Sequence, residues 1–331
     1  TGQVGYAFMG KRGVVYNNCF KVIPNEEKIN KVFLYKLLNT EIIRNYAQTL
    51  ATGTAQLDLN HDAFKSIKIK LPSLNNQQKI VNLISNYDNL IENNNKRIKL
   101  LENMAEELYK EWFVRLRFPN YQNTKIVDGI PDGWEYNKLS ELSYITDGTH
   151  ESPNESLEEN TYFLITGKHL INNQIDFSNA YKISKEEHLK ISQRSGLNIG
   201  DILFSNIGTI GNIALVSDFY DFSCKNVLVF KPKDKCRAFL YEFLKYPYNK
   251  ELFLLQSNGA SQKFLSLEYI RNFKTLIPPS ELLQKFDSSM IFFYREINNL
   301  NSKNQNLKET RDLLLPRLIS GKLDIKDLDI V

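Results

Sequence analysis

Apolar residues recur at alternating steps of four and three along two long stretches of this 331-residue chain, with a denser, strand-like pattern between them. In the first stretch Ile80, Ile84, Tyr87, Ile91, Asn94, Ile98, Leu101, Ala105, Leu108 and Trp112 keep that spacing. In the second, Phe286, Met290, Phe293, Ile297, Leu300, Asn304, Leu307, Arg311, Leu314 and Leu318 keep it. A period of 3.5 held over about 33 residues predicts a long helix with a seam that needs a partner helix, roughly 50 Å of it at 1.5 Å per residue. Pro72 and Pro278–Pro279 stand ahead of the two stretches, where proline pre-sets φ at no cost in hydrogen bonds. Residues 118–125 and Gly321 are their expected stops, and Pro316 is expected to kink the second near its end, so that flush pairing fails there. The intervening segments 201–216 (DILFSNIGTIGNIALV) and 225–232 (KNVLVFKP) read as strands, 238–246 (AFLYEFLKY) as a short helix, and Gly208 and Gly211 as turns.

The polar exceptions on the seams predict how the helices pair. Of the ten seam positions, Asn94 is the fifth in its helix and Asn304 the sixth in the other. Antiparallel helices with flush ends set the two asparagines face to face, where one buried pair fixes register. A parallel pair would set them against Leu300 and Ile98 and leave two amides unpaired, which is expensive. The antiparallel pair is expected.

The chain also repeats itself. FLYKLLN (33–39) returns as FLYEFLK (239–245), an offset of 206, and TGTAQ (52–56) meets NGASQ (258–262) at the same offset. FKSIKIKLPS (64–73) meets IRNFKTLIPP (270–279), NNQQKI (75–80) meets ELLQKF (281–286), and TGQVG (1–5) meets IGTIG (207–211). With a gap of two, NCFKVIP (18–24) meets NVLVFKP (226–232). One register held over that distance is a tandem duplication, each copy a globular part followed by one long helix. The second copy opens near residue 130 and runs about 75 residues before its IGTIG, whereas the first opens almost at that motif and so lacks its front half. The expected fold class is α/β (α+β), mixed strands and short helices in two tandem globular domains joined by two long antiparallel coiled-coil helices. The boundaries expected are 1–73 for the first globular domain, 74–117 for its helix, 118–133 for a linker, 134–278 for the second domain, 279–321 for the second helix and 322–331 for a tail.

Composition narrows the class. Hydrophobic residues make up 42% of the chain and charged residues 24%, the balance of an ordinary globular protein. No apolar run approaches the ~20 residues of a membrane span, the opening TGQVGYAFMG is no signal peptide, and Cys19, Cys224 and Cys236 have neither disulfide nor metal spacing. A cytoplasmic setting is expected. Net charge is +4, but residues 1–73 carry +5 and residues 125–277 carry −2, so a polyanion partner is allowed and not demanded. Catalytic signatures are missing. The histidines His61, His150, His169 and His188 make no HExxH or close metal set. There is no phosphate-binding P-loop, dinucleotide fingerprint or nucleophile elbow. KYPYN (245–249) lacks the residues of an amino-methyltransferase motif, and no nuclease cluster stands out. No catalytic residue, bound metal or cofactor is expected in this chain.

Two globular copies, each followed by a helix that opens with Leu-Pro or Pro-Pro and then Gln-Lys-Ile or Gln-Lys-Phe, resemble the specificity (S) subunit of Type I restriction–modification enzymes. The segments that carry the resemblance are 52–72, 71–102, 145–153 (ITDGTHESP), 200–212 (GDILFSNIGTIGN) and 310–325 (TRDLLLPRLISGKLDI). The short first copy departs from the pattern. The resemblance implies a DNA-binding, non-catalytic subunit whose two target recognition domains each read half of a bipartite double-stranded DNA site. It implies helices that act as a ruler, and partners in methyltransferase (M) and restriction/translocase (R) subunits. S-adenosylmethionine and ATP with Mg then belong to those partners, which methylate adenine and cleave. Candidate readers lie in loops near glycine or proline: Thr149, His150, Lys168, His169, Asn206, Gln262 and Lys263 in the second domain, and Lys11, Arg12 and Gln56 in the first. For each, an ordinary solvated loop residue is the alternative, and the acidic run Glu151 to Glu159 argues against Thr149 and His150. Gln56 and Gln262 recur at matched places, which hints at a structural role. Trp112, on the seam, is expected in the core, and Tyr109 and Phe113 at a partner interface. Two other readings stay open: a two-headed protein-binding adaptor, favoured by the acidic second domain, and a fragment that must pair with another chain.

Overall fold

A computed structural model of the chain describes residues 5–10, 14, 19–53, 57–217, 221–233, 235–257, 259 and 263–325. Helices α1 (Lys31–Leu38), α2 (Glu41–Leu50) and α3 (His61–Lys65) lead into the long α4 (Leu74–Tyr109), which runs on as a π-helical turn at Lys110–Val114. Next come β1 (Ile126–Val127), β2 (Ile130–Pro131), β3 (Glu135–Lys138), α5 (Leu139–Leu142), β4 (Ser143–Asp147), β5 (Thr161–Ile165), β6 (Leu170–Ile171), β7 (Gln174–Ile175) and β8 (Lys182–Ser184). Then follow α6 (Lys185–Ser195), β9 (Ile202–Ser205), β10 (Ile213–Leu215), β11 (Phe222–Cys224) and β12 (Val227–Pro232). The chain closes with α7 (Arg237–Lys245), α8 (Pro247–Leu255), α9 (Leu267–Asn272), β13 (Lys274–Ile277) and the long α10 (Ser280–Ser320). Two compact units result, Thr1–Ile98 with Asn299–Val331, and Lys99–Asn298. Both long helices are thus divided, each half belonging to the same unit as the globular part beside it.

In the first unit, Phe33 and Leu37 of α1 are buried together with Ile80, Val81 and Ile84 of α4 and Leu318 of α10. Asn30 caps α1, its Oδ1 accepting from the Val32 and Phe33 amides at 2.9 and 3.1 Å. The fully buried Gln77 ties that cap to α4. Its Oε1 accepts from the Asn30 amide at 2.8 Å, and its Nε2 donates to the Lys28 and Pro72 carbonyls at 3.0 and 2.9 Å.

The helix halves of this unit run antiparallel. Asn94 Nδ2 donates to Asn304 Oδ1 at 2.9 Å, both residues buried, and Asn304 Nδ2 donates onward to Asn95 Oδ1 at 2.9 Å. α10 continues through Pro316 to Ser320, and Leu318 beyond it is buried in the core with Ile80 and Ile84, so the pairing does not fail there. The carbonyl that proline leaves without its helical donor belongs to Asp312, on the exposed face where water reaches it. Asn94→Leu is expected to cost ~1–3 kcal/mol, because it strands the buried Asn304 carbonyl oxygen. The double variant Asn94→Leu with Asn304→Leu should recover that loss while giving up register specificity. Thermal melts of the three variants check this, and a single variant as stable as the unaltered chain would count against it.

In the second unit the strands form a four-stranded antiparallel sheet, β10-β9-β12-β4, and a three-stranded sheet, β11-β5-β8, in which β11 and β5 are parallel. The central strands β9 and β12 are apolar on both faces because both are covered. Ile202, Phe204, Leu228 and Phe230 face a core with α7 (Phe239, Phe243), α8 (Phe253) and the long helices (Tyr109, Phe286, Met290). Leu203, Val227 and Val229 point the other way, into a core with Ile165, Phe222 and Cys224 of the second sheet. Trp112 meets Phe286 with ring centroids 5.4 Å apart, the pairing expected for an antiparallel seam.

The duplication preserves positions and exchanges chemistry. At the offset of 206, Lys36 and Asp88 correspond to Glu242 and Tyr294. In the first unit Lys36 Nζ lies 2.5 Å from Asp88, which Arg311 also reaches at 2.7 Å. Burial pushes the Asp88 carboxyl up, but hydrogen bonds from Lys36 and Arg311 outweigh it and hold it below the ordinary carboxylate range. In the second unit the Tyr294 hydroxyl donates to Glu242 at 3.1 Å and Lys245 stands 2.8 Å from the same carboxylate. There burial prevails and pushes the Glu242 carboxyl up. The same helix–helix contact is made by an ion pair in one unit and by a buried acid and a phenol in the other.

Candidate nucleic-acid interface

Strand register brings five connecting segments of the second unit to one rim. β12 pairs with β4 so that Leu228 opposes Asp147, and with β9 so that Val227 opposes Ser205, which sets the ends of β4 and β9 level with the start of β12. Parallel pairing of Cys224 with Ile165 sets the ends of β5 and β11 level with each other. A bridge between Thr149 and Lys225 ties the two sets together, and a bridge between Ile207 and Phe264 adds the segment before α9. Residues 147–152, 166–169, 205–211, 224–226 and 263–265 therefore share one end of the unit.

Two glycine features let the loops approach closely. A side chain on Gly148 would run into the Cys224 carbonyl, which accepts from the Thr149 amide at 2.9 Å. Gly208 and Gly211 hold φ of 71° and 89°, which folds the SNIGTIGN segment back so that the Gly211 amide donates to the Ser205 carbonyl at 2.9 Å.

The candidate readers divide by exposure. Lys168 and Lys263 are exposed, and among the described residues neither is held in an ion pair. His150 is exposed too, its ring nitrogens 2.9 Å from Asn226 Oδ1 and 2.8 Å from Asp147 Oδ2. Asp147 is buried and also takes an ion pair from Arg194 of α6. The acidic run is partly neutralised, since Glu151 is paired with Lys190 at 2.7 Å.

Three other candidates are buried and hydrogen-bonded internally, Asn206 through its Nδ2 alone. Thr149 carries the bridge between the sheets, and its hydroxyl accepts from the Glu151 amide at 3.1 Å. His169 is 2% exposed. Its Nδ1 accepts from the Thr166 amide at 2.9 Å, so the proton sits on Nε2, 3.3 Å from the Asn179 carbonyl. Burial, with the Lys168 charge beside it, pushes the His169 pKa down and keeps the ring neutral. Asn206 is buried with its Nδ2 on the Leu265 carbonyl at 3.0 Å. These side chains build the rim from beneath. Lys11, Arg12, Gln56 and Gln262 lie outside the described residues.

The rim also holds residues that sequence reasoning passed over: Lys225, whose ammonium contacts the Ser152 hydroxyl, Asn226, Thr209 and Arg194. A further correction concerns the helix ends. Tyr109 is 4% exposed, packed among Phe113, Phe239, Tyr246 and Phe286, so it belongs to the core and not to a partner surface. Phe113 is half-buried against Phe239 and Phe286, at 4.8 and 4.7 Å. Trp112, expected in the core, is likewise half-buried against the core around Phe286, and it flanks a groove of about 660 Å³ with Pro119, Glu281, Lys285 and Ser288. The described residues hold no cluster of metal-ligating side chains and no helix long and apolar enough to cross a membrane.

Comparison with known proteins follows the duplication. The family model for the Type I restriction modification DNA specificity domain matches residues 1–103 and 131–314. The chain is 28% identical to the Type I restriction enzyme MjaIX specificity subunit of Methanocaldococcus jannaschii over 338 residues, covering 98% of this chain and 76% of that protein. It is 23% identical to the HindI specificity subunit of Haemophilus influenzae, covering 93% of this chain and 81% of that one. Among solved structures, an S subunit from M. genitalium superimposes with a TM-score of 0.51 at 18% identity, covering 89% of this chain and 74% of that one, a likeness of fold.

Proposed function

This chain belongs to the Type I restriction modification DNA specificity domain family, and from that premise we propose that the rim of its second unit reads one half of a split double-stranded DNA site. Its role is that of a non-catalytic specificity subunit. The observation that carries the reading of the rim is the convergence of five segments on one end of the unit, with Lys168 and Lys263 exposed there and free of ion pairs among the described residues. Lysines on such a rim meet phosphates and set register, while His150, Thr209 and Asn226 are of the size and polarity to meet base edges.

The finer roles follow the same reading. The first unit reads the other half-site, and α4 with α10 hold the two readers at a set spacing, so that both engage only where the half-sites stand at the matching distance and helical phase. Methyltransferase subunits bind the helices, whose exposed apolar side chains include Leu100, Met104 and Phe292, and restriction subunits join them. S-adenosylmethionine, ATP and Mg are bound by those partners, and the complex works in the cytoplasm. The acidic balance of residues 125–277 fits, because on the rim itself Asp147 and Glu151 are paired with basic side chains.

Co-expression with the neighbouring methyltransferase, followed by long-read methylome sequencing, tests the reading. The expected result is a stable complex that methylates adenine at one bipartite motif. A stable complex with no site-specific methylation would overturn the reading of DNA, and failure to form a complex would favour a protein-binding adaptor.

A further inference from the structure

We propose that the β6–β7 hairpin is a strut between the long helix α4 and the reading rim, and that Glu102 and Asn173 are its positioning residues. The proposal rests on the DNA-reading role given above and adds a regulator of how the rim is presented.

The hairpin is short and stiffly built. Leu170 pairs with Ile175 and Ile171 with Gln174, which leaves Asn172 and Asn173 as a two-residue turn. Both asparagines have positive φ, 51° and 61°, the conformation of a type I′ turn, which asparagine tolerates better than other residues with a side chain. At the tip, Asn173 Nδ2 donates to Glu102 Oε1 of α4 at 2.8 Å. This is a charge-assisted bond between partly buried groups, stronger and more directional than a neutral one.

The base of the hairpin is the rim itself. The Asp176 amide donates to the His169 carbonyl at 2.8 Å, which extends the pairing by one step toward the loop of residues 166–169. His169 then fixes that loop through Thr166 and Asn179. Gly167 packs so closely on Ser205 that no side chain would fit, and the Ser205 and Thr209 hydroxyls are 3.0 Å apart. Leu170, at the start of the hairpin, is buried in the core between the sheets. An unbroken series of bonded and packed groups therefore runs from Glu102 through Asn173 and His169 to Lys168 and Thr209. Only three residues separate His169 from Asn173, so the link from the loop that carries Lys168 to α4 is short.

Without the Glu102 contact the sheets stay packed on α4 and α10 through Tyr109, Phe286 and Met290, but the hairpin and the loop of residues 166–169 at its base are released from α4. A loop free to shift lets Lys168 meet phosphates of a half-site at more than one helical phase, so the lost property is discrimination of the gap between half-sites. Asn173→Gly suits the test because glycine keeps the positive φ while removing the donor. Glu102→Ala removes the acceptor, and Glu102→Gln keeps an acceptor oxygen and serves as the conservative control.

The complex with the methyltransferase, once its motif is known, is assayed for methylation of DNA with the native gap and with gaps longer or shorter by one base pair. Complex formation and melting temperature are measured alongside. The expected result is that Asn173→Gly and Glu102→Ala assemble normally and methylate the native site, while their preference for the native gap falls about ten-fold, and that Glu102→Gln restores it. An unchanged gap preference in both variants overturns the strut. If the unaltered complex shows no sequence-specific methylation at all, it is the DNA-reading role that has failed, and the strut falls with it.

Discussion

Replacing Lys168, Lys225 and Lys263 together by alanine is expected to weaken DNA binding of the assembled complex by roughly a hundred-fold, at about 1 kcal/mol per lost contact. The three lysines lie in three different loops that the strand register sets side by side, so no one of them defines the surface and their combined charge does. None of them is needed for the core. Lys168 and Lys263 are exposed, and the Lys225 ammonium reaches out to the Ser152 hydroxyl while its bonds to the sheets are made by the backbone. The triple variant should therefore fold and assemble normally. The slope of log affinity against log salt should flatten by about 0.9 for each lysine that touches a phosphate. Lys274→Ala is the control. Lys274 pairs with Lys138, which leads through α5 into the far end of β4, away from the rim, and its loss should leave both affinity and slope unchanged. A triple variant with the parent's affinity and salt slope would remove the rim from the interface.

How far the sequence reached depends on which interactions write a period into it. The seam is legible because two helices that pack along their length repeat the same demand every 3.5 residues, and an exception such as Asn94 stands out against Ile91 and Ile98. β9 and β12 are legible as continuous apolar runs because both faces of each are covered. The rim was half legible. Glycine marks the loops at Gly148, Gly167 and Gly208, but a loop's polar residues divide between surface and support only when the tertiary fold is known. His169 and Asn206 look like readers in sequence and are buried posts in the structure. Lys225 and Asn226 escaped notice because the β11–β12 connection has only two residues and no glycine; Asn226 itself takes the positive φ of 52°. The helix end departs from the seam for a local reason. The π-helical turn at Lys110–Val114 adds a residue to its turn and shifts the helical phase, so that Trp112 and the neighbouring Phe113 both pack half-buried against the core. The strut was invisible, since a hydrogen bond between residues 102 and 173 leaves no period.

Phe286→Ala is expected to cost ~3–5 kcal/mol, the largest effect on stability of any variant considered for this chain. The ring is fully buried and central to the aromatic joint of the second unit, with Phe113 edge-on at 4.7 Å, Trp112 at 5.4 Å and Tyr109 at 6.4 Å. Phe113 in turn stands edge-on to Phe239 of α7 at 4.8 Å, so the start of α10, the end of α4 and the helices behind the four-stranded sheet meet around one side chain. Removing it leaves a cavity that three large flat rings cannot close without leaving their preferred edge-to-face geometry. Phe286→Leu refills much of the volume and should cost less than half as much. The corresponding residue of the first copy is Ile80, packed in a core with Leu318, so one unit closes its helix joint with aliphatics where the other uses rings. That difference makes the measurement selective. The chain has two tryptophans, Trp112 and Trp134, and both lie in the second unit, so tryptophan fluorescence excited beyond the tyrosine absorption reports on that unit. A fall in the fluorescence midpoint with denaturant, at unchanged m, is the expected result. A midpoint within experimental error of the parent's would mean that the joint is held by the surrounding helices and not by this ring.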